Sequence, residues 1–315
     1  MAKTDGSPLV SVVLPTYGRP EFLTDAVESV LGQTYDRIEL LVVDDCSPEP
    51  VAPALAGIDA GEATMRVIRH EENQGANGAR NTGIREAGGE FVAFIDDDDL
   101  WEPTKLERQV AAADSEAVGV VYTGMRYVVD GETSHVIEAD LEGDVTRELL
   151  TGAEMGTFST LVVRRSAIEA AGLPDERFPC WQDREWPIRL SQHCEFAAVP
   201  EPLTVHRIDD HEQISDDFET KRDVAYPLFI ETFRPLAEEF GSRAVDEMIA
   251  FRARVVAASA LQTGHYEDAR RFALRAVRAN PFDRKGLLFL VLSLGGRPLF
   301  AAAQRAKRRA LRLTR

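Results

Sequence analysis

A chain of 315 residues, 44% of them hydrophobic, is long enough for one large domain with an appendage or for two domains. Its net charge of −17 excludes nucleic-acid binding through a broad basic surface, because phosphate backbones are held by Lys and Arg. Three scattered cysteines, Cys46, Cys180 and Cys194, are too few for a disulfide framework or a zinc site and fit a reducing compartment.

The opening MAKTDGSPLV shows neither a signal peptide nor an N-terminal anchor. Val10 to Leu14 form a β-branched run ended by Pro15, the pattern of a strand buried on both faces. Phe22, Leu23, Ala26, Val27, Val30 and Leu31 recur at helical spacing, and Ile38 to Val43 form a second buried strand that ends in Asp44 and Asp45. Two strands joined by a helix lie parallel, so their carboxyl ends open on one edge.

The alternation continues with a short strand at Arg66 to Arg69, a helix from Asn77 to Ala87 and a strand from Phe91 to Ile95. That strand stops at four successive acids, Asp96 to Asp99. Pro103 suits the first residue of the next helix, and Val118 to Thr123 is a fifth strand. This order predicts an α/β fold, a Rossmann-like, mostly parallel central sheet flanked by helices, with its ligand crevice at the carboxyl ends of the strands.

Beyond Thr123 the pattern changes to a hairpin (Tyr127 to Val129 with Ser134 to Ile137), a strand at Leu161 to Arg164 and a helix at Arg184 to Gln192 containing Pro187. From Asp217 onward the chain reads as helical, and LQTGHYEDARRFALRAVRANP is similar to part of one tetratricopeptide repeat, which predicts a helical hairpin. The expected units are therefore residues 1–216, with halves at about 1–123 and 124–216, and a helical region at 217–315.

From Leu287 to Arg315 there are seven basic and no acidic residues, which leaves the first 286 residues at −24. No run of about 18 apolar residues is read anywhere, so no ordinary membrane span is expected. Leu299, Phe300, Ala303, Ala306, Ala310 and Leu313 share one helical face opposite Arg305, Arg308, Arg309 and Arg312. Such a helix suits peripheral contact with an anionic membrane, or packing on its own domain with a solvated basic face.

Four adjacent carboxylates repel one another and resist burial unless something positive joins them. A solvated acidic turn is one reading of Asp96 to Asp99. An EF-hand is excluded, because Trp101 stands where the loop needs glycine and a strand precedes the run. The remaining reading is a divalent cation holding a phosphorylated ligand.

Five segments in order favour that reading: Ser11-Val-Val-Leu-Pro-Thr-Tyr-Gly-Arg, Leu31-Gly-Gln-Thr-Tyr, Glu39-Leu-Leu-Val-Val-Asp-Asp-Cys-Ser, Asn73-Gln-Gly with Ala79-Arg-Asn-Thr-Gly, and Phe94-Ile-Asp-Asp-Asp-Asp-Leu-Trp. Together they resemble a family 2 glycosyltransferase of the GT-A fold, over residues 9 to 215. Gly18 and Cys46 depart from the Asn and Gly usual at those places.

The resemblance implies a nucleoside-diphosphate sugar donor, UDP- or GDP-linked, and Mn²⁺ or Mg²⁺. Pro15, Thr16 and Tyr17 would lie along base and ribose, where an aromatic ring can stack. Asp45 would accept a hydrogen bond from the base or cap its own loop. Arg80 would reach base or diphosphate, or pair with a nearby acid.

Asp96 and Asp98 would form the D-x-D pair, Asp96 toward ribose or metal and Asp98 as a direct ligand of a hard cation. Asp97 would touch the nucleotide, and Asp99 would cap the helix near Pro103. Asp183 matches the catalytic base, with an N-cap role compatible and Glu185 an alternative. His206 and His211 compete for the place of a metal-binding histidine, His211 being the expected ligand, against a plain surface role.

The expected activity is metal-dependent, inverting sugar transfer to a hydroxyl of a glycan or lipid-linked glycan in polysaccharide or glycoprotein assembly. The expected location is cytoplasmic, or peripheral on the cytoplasmic face of the membrane. A nucleotidyltransferase is disfavoured by the lack of a Gly-rich basic loop after the first strand, and a non-catalytic nucleotide-sugar scaffold by the intact D-x-D pair and Asp183.

Overall fold

The computed structural model describes residues 6–129, 131–208 and 217–313. These form two compact units: Met1–Thr146, Glu154–Arg177 and Gln182–His211 make the first, and Arg147–Ala153, Phe178–Trp181 and Glu212–Arg315 the second. Two short segments from the middle of the chain thus belong with the C-terminal helices, a grouping that no periodicity in the sequence marks.

The first unit begins with the expected alternation of β1 (Val10–Thr16), α1 (Pro20–Leu31), β2 (Ile38–Asp44), α2 (Ala52–Leu55), β3 (Thr64–Arg69), α3 (Gly75–Glu86) and β4 (Phe91–Phe94). It continues through β5 (Asp99–Trp101), α4 (Lys105–Ala112), β6 (Val118–Val129), β7 (Glu132–Ile137), β8 (Leu161–Arg164), α6 (Arg165–Ala171), α7 (Gln182–Ser191) and β9 (Glu195–Arg207), while α5 (Thr146–Thr151), between β7 and β8 in the chain, falls in the second unit from Arg147 onward. Among the described residues these strands form one sheet in the order β3-β2-β1-β4-β8-β6-β9-β5, with β7 paired to β6.

The strands β3, β2, β1 and β4 run parallel, with Val12 in register with Leu40 on one side and Ala93 on the other. Beyond β4 the sheet is mixed. β8 is antiparallel to both β4 and β6, β6 and β9 are parallel, and β5 returns antiparallel along β9. The helix-joined neighbours β1 and β2, and β2 and β3, are parallel as the crossover rule requires, whereas the neighbours that are distant in sequence take either direction, β1 with β4 and β6 with β9 parallel, β8 with β4 and with β6 antiparallel.

Burial explains the reading of the early strands. Val10, Val12, Val13 and Leu14 are fully buried, and alternate residues of β1 join Leu40, Val42, Ala93 and the inner face of α1 in one apolar cluster. On the other face α3 lies so close to β1 that a Cβ on Gly83 would come 2.3 Å from Val13 Cγ1. β6 is one twelve-residue strand where two shorter ones were expected, its register shifting between Thr123 and Met125. At that bend a Cβ on Gly124 would lie 2.6 Å from the carbonyl of Pro200.

In the second unit, α8 (Phe218–Thr220) runs through a π-helical turn into α9 (Tyr226–Glu239). The expected hairpin follows as α10 (Ser242–Gln262) and α11 (Tyr266–Ala279), and α12 (Arg284–Leu313) packs on both. Small residues, Ala253, Ala257, Ala260, Ala269, Ala273 and Ala276, let these helices approach closely around Phe272 and Leu292.

One expectation for the tail is corrected. Residues Arg284–Ala306 are long and apolar enough to cross a membrane by length and composition, although no such run was read from the sequence. The run is broken by Gly296, which is non-helical (φ 58°, ψ −155°), and by Arg297 and Pro298, so counting consecutive apolar residues misses it. Of the two readings of the tail's apolar face, Phe300 and Ala303 follow the second, packing against the cluster of α10 and α11.

Gly83→Ala tests the helix-sheet approach. Helix propensity alone favours alanine by about 1 kcal/mol, but the clash with Val13 should cost about 1–3 kcal/mol, so urea denaturation should show a net loss or no gain. Lys105 supplies a second test. It is fully buried beside the Trp101 ring, donates to Gln109 Oε1 at 2.6 Å, and burial pushes its pKa well below the ordinary lysine value. The unfolded chain then binds the extra proton between the lowered and the ordinary value, about 10.4. Stability should rise with pH through that window, and Lys105→Met should remove the rise.

Candidate active site

The carboxyl edge of the parallel strands gathers most of the predicted residues. Pro15 and Thr16 end β1, where Thr16 donates its hydroxyl to Asp97 Oδ2 at 2.7 Å. Tyr17, the next residue, is 51% exposed, which leaves its ring open to a flat ligand. Gly18 has φ 70°, and its N–H reaches Ser47 Oγ at 3.0 Å, tying the loop after β1 to that after β2.

Asp44 and Asp45, adjacent in sequence, do different work. Asp44 accepts from Ser47 N at 2.8 Å, from Val51 N and from Arg69, an anchor for the loop. Burial works against its charge, yet these hydrogen bonds hold its carboxyl below the usual range. Asp45 Oδ1 accepts from Gln74 N at 2.9 Å and contacts His70 Nδ1 at 2.7 Å, while His70 Nε2 meets Thr82 Oγ1 at 2.9 Å. Between the loops Cys46 holds φ 64°, the left-handed region that favours glycine and that explains the glycine usual there.

Each acid of the run from Asp96 to Asp99 has a partner. Asp96 Oδ1 accepts from Arg80 Nη2 at 2.5 Å, and its backbone N–H donates to Ser159 Oγ at 3.0 Å. Asp97 is buried against Thr16. Burial lifts its carboxyl to about 7, the Thr16 hydroxyl opposing and the charge of Asp98 adding. Asp98 accepts from Arg19 Nη1 at 2.9 Å, and Arg207 Nε donates to its backbone carbonyl at 2.8 Å.

Asp99 is corrected. It does not cap the helix that follows but lies fully buried in β5, directly opposite His206 of β9, and its Oδ1 meets His206 Nδ1 at 2.7 Å. Asp99 Oδ2 has no hydrogen-bond partner among the described residues. Burial opposes charge on the imidazole, but the Asp99 hydrogen bond and the charges of Asp99, Asp98 and Asp96 outweigh it and raise the His206 pKa. His206 is thus engaged by Asp99, and its ring meets the edge of Tyr127 at 5.1 Å. His211 lies outside the described residues.

Arg80 connects the acidic run to α7. It is 5% exposed, stacks 4.1 Å over the Phe158 ring, and reaches Asp96, Asn77 Oδ1 and Gln182 Oε1. Gln182 begins α7 and Asp183 follows it, with Arg184 Nε 3.5 Å from Asp183 Oδ2. Asp183 keeps its side chain about a quarter exposed, whereas Glu185 is fully buried and locked to Arg189. Burial raises the Glu185 pKa against that pairing.

Asp96 and Asp98 present hard carboxylate oxygens, the donors that Mn²⁺ and Mg²⁺ prefer. Among the described residues no three His, Cys, Asp or Glu side chains are arranged as a metal cage. Two carboxylates fit a cation of the kind completed by substrate phosphates.

Sequence reasoning passed over Arg19, which lies 3.6 Å from Asp97 and closer to Asp98, and also His70 and Ser159. Arg19 was already inside the quoted motif, one residue beyond the β1 turn. Ser159 carried no signal at all, since it enters from a 3₁₀ turn distant in sequence.

A parallel strand edge lined by an arginine-bridged acidic run defines an α/β protein with a polar ligand crevice. The chain belongs to glycosyl transferase family 2, whose family model matches residues 11–171. It is 37% identical over 121 residues to TuaG of Bacillus subtilis (strain 168), named for teichuronic acid biosynthesis, covering 38% of this chain and 48% of TuaG. It is 38% identical over 103 residues to WfgD of Escherichia coli, a UDP-Glc:alpha-D-GlcNAc-diphosphoundecaprenol beta-1,3-glucosyltransferase, covering 33% of this chain and 40% of WfgD. The chain therefore spans about half the length or less of these relatives.

Among solved structures it is similar to S. aureus TarS 1–349 in complex with UDP-GlcNAc, with TM-score 0.63, 17% identity and 90% of each chain covered. It is also similar to the mannosyltransferase PcManGT from Pyrobaculum calidifontis in complex with GDP-Man and Mn²⁺, with TM-score 0.57, 18% identity, and 94% of this chain and 86% of that one covered. The fold is the GT-A fold that the sequence resemblance implied.

Because Asp99 is buried, His206→Ala should leave its charge uncompensated and lower stability by about 3–5 kcal/mol. His206→Gln, which can still donate, should recover part of the loss in urea denaturation.

Proposed function

We propose that this protein is an inverting glycosyltransferase that moves a sugar from a nucleoside-diphosphate donor to an acceptor hydroxyl. The observation that carries the reading is Arg80, whose guanidinium joins Asp96 of the acidic run to Gln182, the neighbour of Asp183. One side chain thus couples the place for a charged leaving group to the place for a base.

In this reading Pro15, Thr16 and the open Tyr17 ring receive base and ribose, with Asp45 and Asp97 nearby. His70 and Gln74 hold Asp45 Oδ1 in place, and in this reading that carboxylate accepts from the base. Asp96 and Asp98 would hold Mn²⁺ or Mg²⁺, which supplies charge neutralisation for the departing diphosphate. Arg19 and Arg80 add fixed positive charge on the same side. Asp183, more exposed than Glu185, takes the proton from the acceptor hydroxyl as it attacks the anomeric carbon.

The substrates of similar proteins suggest a UDP- or GDP-sugar and a glycan or lipid-linked acceptor in envelope polysaccharide assembly, with the enzyme on the cytoplasmic side. Thermal-shift measurements with UDP-Glc, UDP-GlcNAc and GDP-Man, with and without Mn²⁺, should show a Mn²⁺-dependent stabilisation by one donor. Asp183→Asn should lower nucleoside diphosphate release to water or added acceptor by about 10²–10⁴-fold, leaving donor affinity unchanged. Unchanged turnover would exclude Asp183 as the base, and pyrophosphate release from a nucleoside triphosphate would mark a nucleotidyltransferase.

A further inference from the structure

The first half of α12 has two faces of opposite fate. Leu292 and Ser293 are buried, and Phe289 and Leu290 pack with them against the cluster of α10 and α11. On the other side Leu287, Leu288, Val291 and Leu294 are 42%, 52%, 55% and 65% exposed, and Phe282, just before the helix, is 89% exposed. The helical positions fall at i, i+1, i+4 and i+7, so they form one continuous stripe.

An exposed stripe of this length needs a cover, and its surroundings say of what kind. Exposed Arg284 and Lys285 flank it at the start and exposed Arg297 at the end. The sequence from Arg284 to Arg315 contains no acidic residue in a chain of net charge −17. Apolar side chains framed by cations match the acyl edge and headgroups of an anionic bilayer, and a second copy of an acidic chain matches that charge poorly.

We propose that this face seats the helical unit on an anionic membrane, with α12 lying in the interfacial plane. A crossing orientation would strip Leu292, Ser293 and Phe289 from their core, and Gly296 with Pro298 breaks the helix midway. The face differs from the one that periodicity suggested, because Phe300 and Ala303 turn inward. It stands independently of the transferase reading, since vesicle binding needs no donor.

The test is co-sedimentation of the full chain with phosphatidylcholine vesicles and with equimolar phosphatidylcholine and phosphatidylglycerol vesicles. The mixed vesicles should bind about tenfold better or more, and salt should weaken them. The double variant Leu288→Glu, Val291→Glu should lose about tenfold in affinity at unchanged melting temperature. In a separate variant, Leu288→Trp, the added fluorescence should be quenched by brominated lipid. Equal binding by wild type and double variant, no vesicle binding by wild type, or a dimer in light scattering that the double variant abolishes would each overturn the proposal.

Discussion

The structure turns on four consecutive carboxylates at the end of one strand, three of them buried and Asp96 partly open. Left alone, such a run would stay in water, because each buried charge without a partner costs several kcal/mol. Here the hydrogen-bonding partners arrive from separate places: Arg80 from α3, Arg19 from the turn after β1, His206 from β9 and the Thr16 hydroxyl from β1. The acidic run therefore organises the loops around it. Each partner is held by the element that precedes or follows it, so the sheet order and the site are one arrangement.

The same crowding divides roles among like residues. Asp99 and Asp44 are buried within the fold and act on it, one through His206 and the other through loop N–H groups and Arg69. Asp96, 30% exposed in its side chain, remains open to ligand. Asp97 has its charged form disfavoured by burial and by its acidic neighbours, with the Thr16 hydroxyl and Arg19 opposing them. Glu185 and Asp183 are separated in the same way, the first enclosed with Arg189 and the second at the surface of α7.

The second unit solves a different problem. Its core is built largely from alanines, which bring helices close but bury little area each. The larger apolar side chains of α12 are shared between that core and the exterior. This sharing is why the helix carries both a packed face and an uncovered one, a division that its sequence alone does not reveal.

Much was legible from the chain itself. Strands β1, β2 and β4 are short runs of buried Val, Leu, Ile and Phe, so their type and parallel direction followed from local pattern and the crossover rule, although β1 runs on through Pro15 to Thr16, one residue past the proline expected to end it. The ordered motifs around Tyr17, Asp45, Arg80 and Asp96 carried the family resemblance, and in the structure Tyr17, Asp45 and Asp96 follow strand ends while Arg80 reaches Asp96 from α3. The partnerships were decided only by tertiary structure. Asp99 meets His206, and Gln182 meets Arg80, across 107 and 102 residues of sequence, and no local propensity carries that information. Likewise the periodicity of the tail announced amphipathic helix, but which side faces inward depends on where α10 and α11 stand against it.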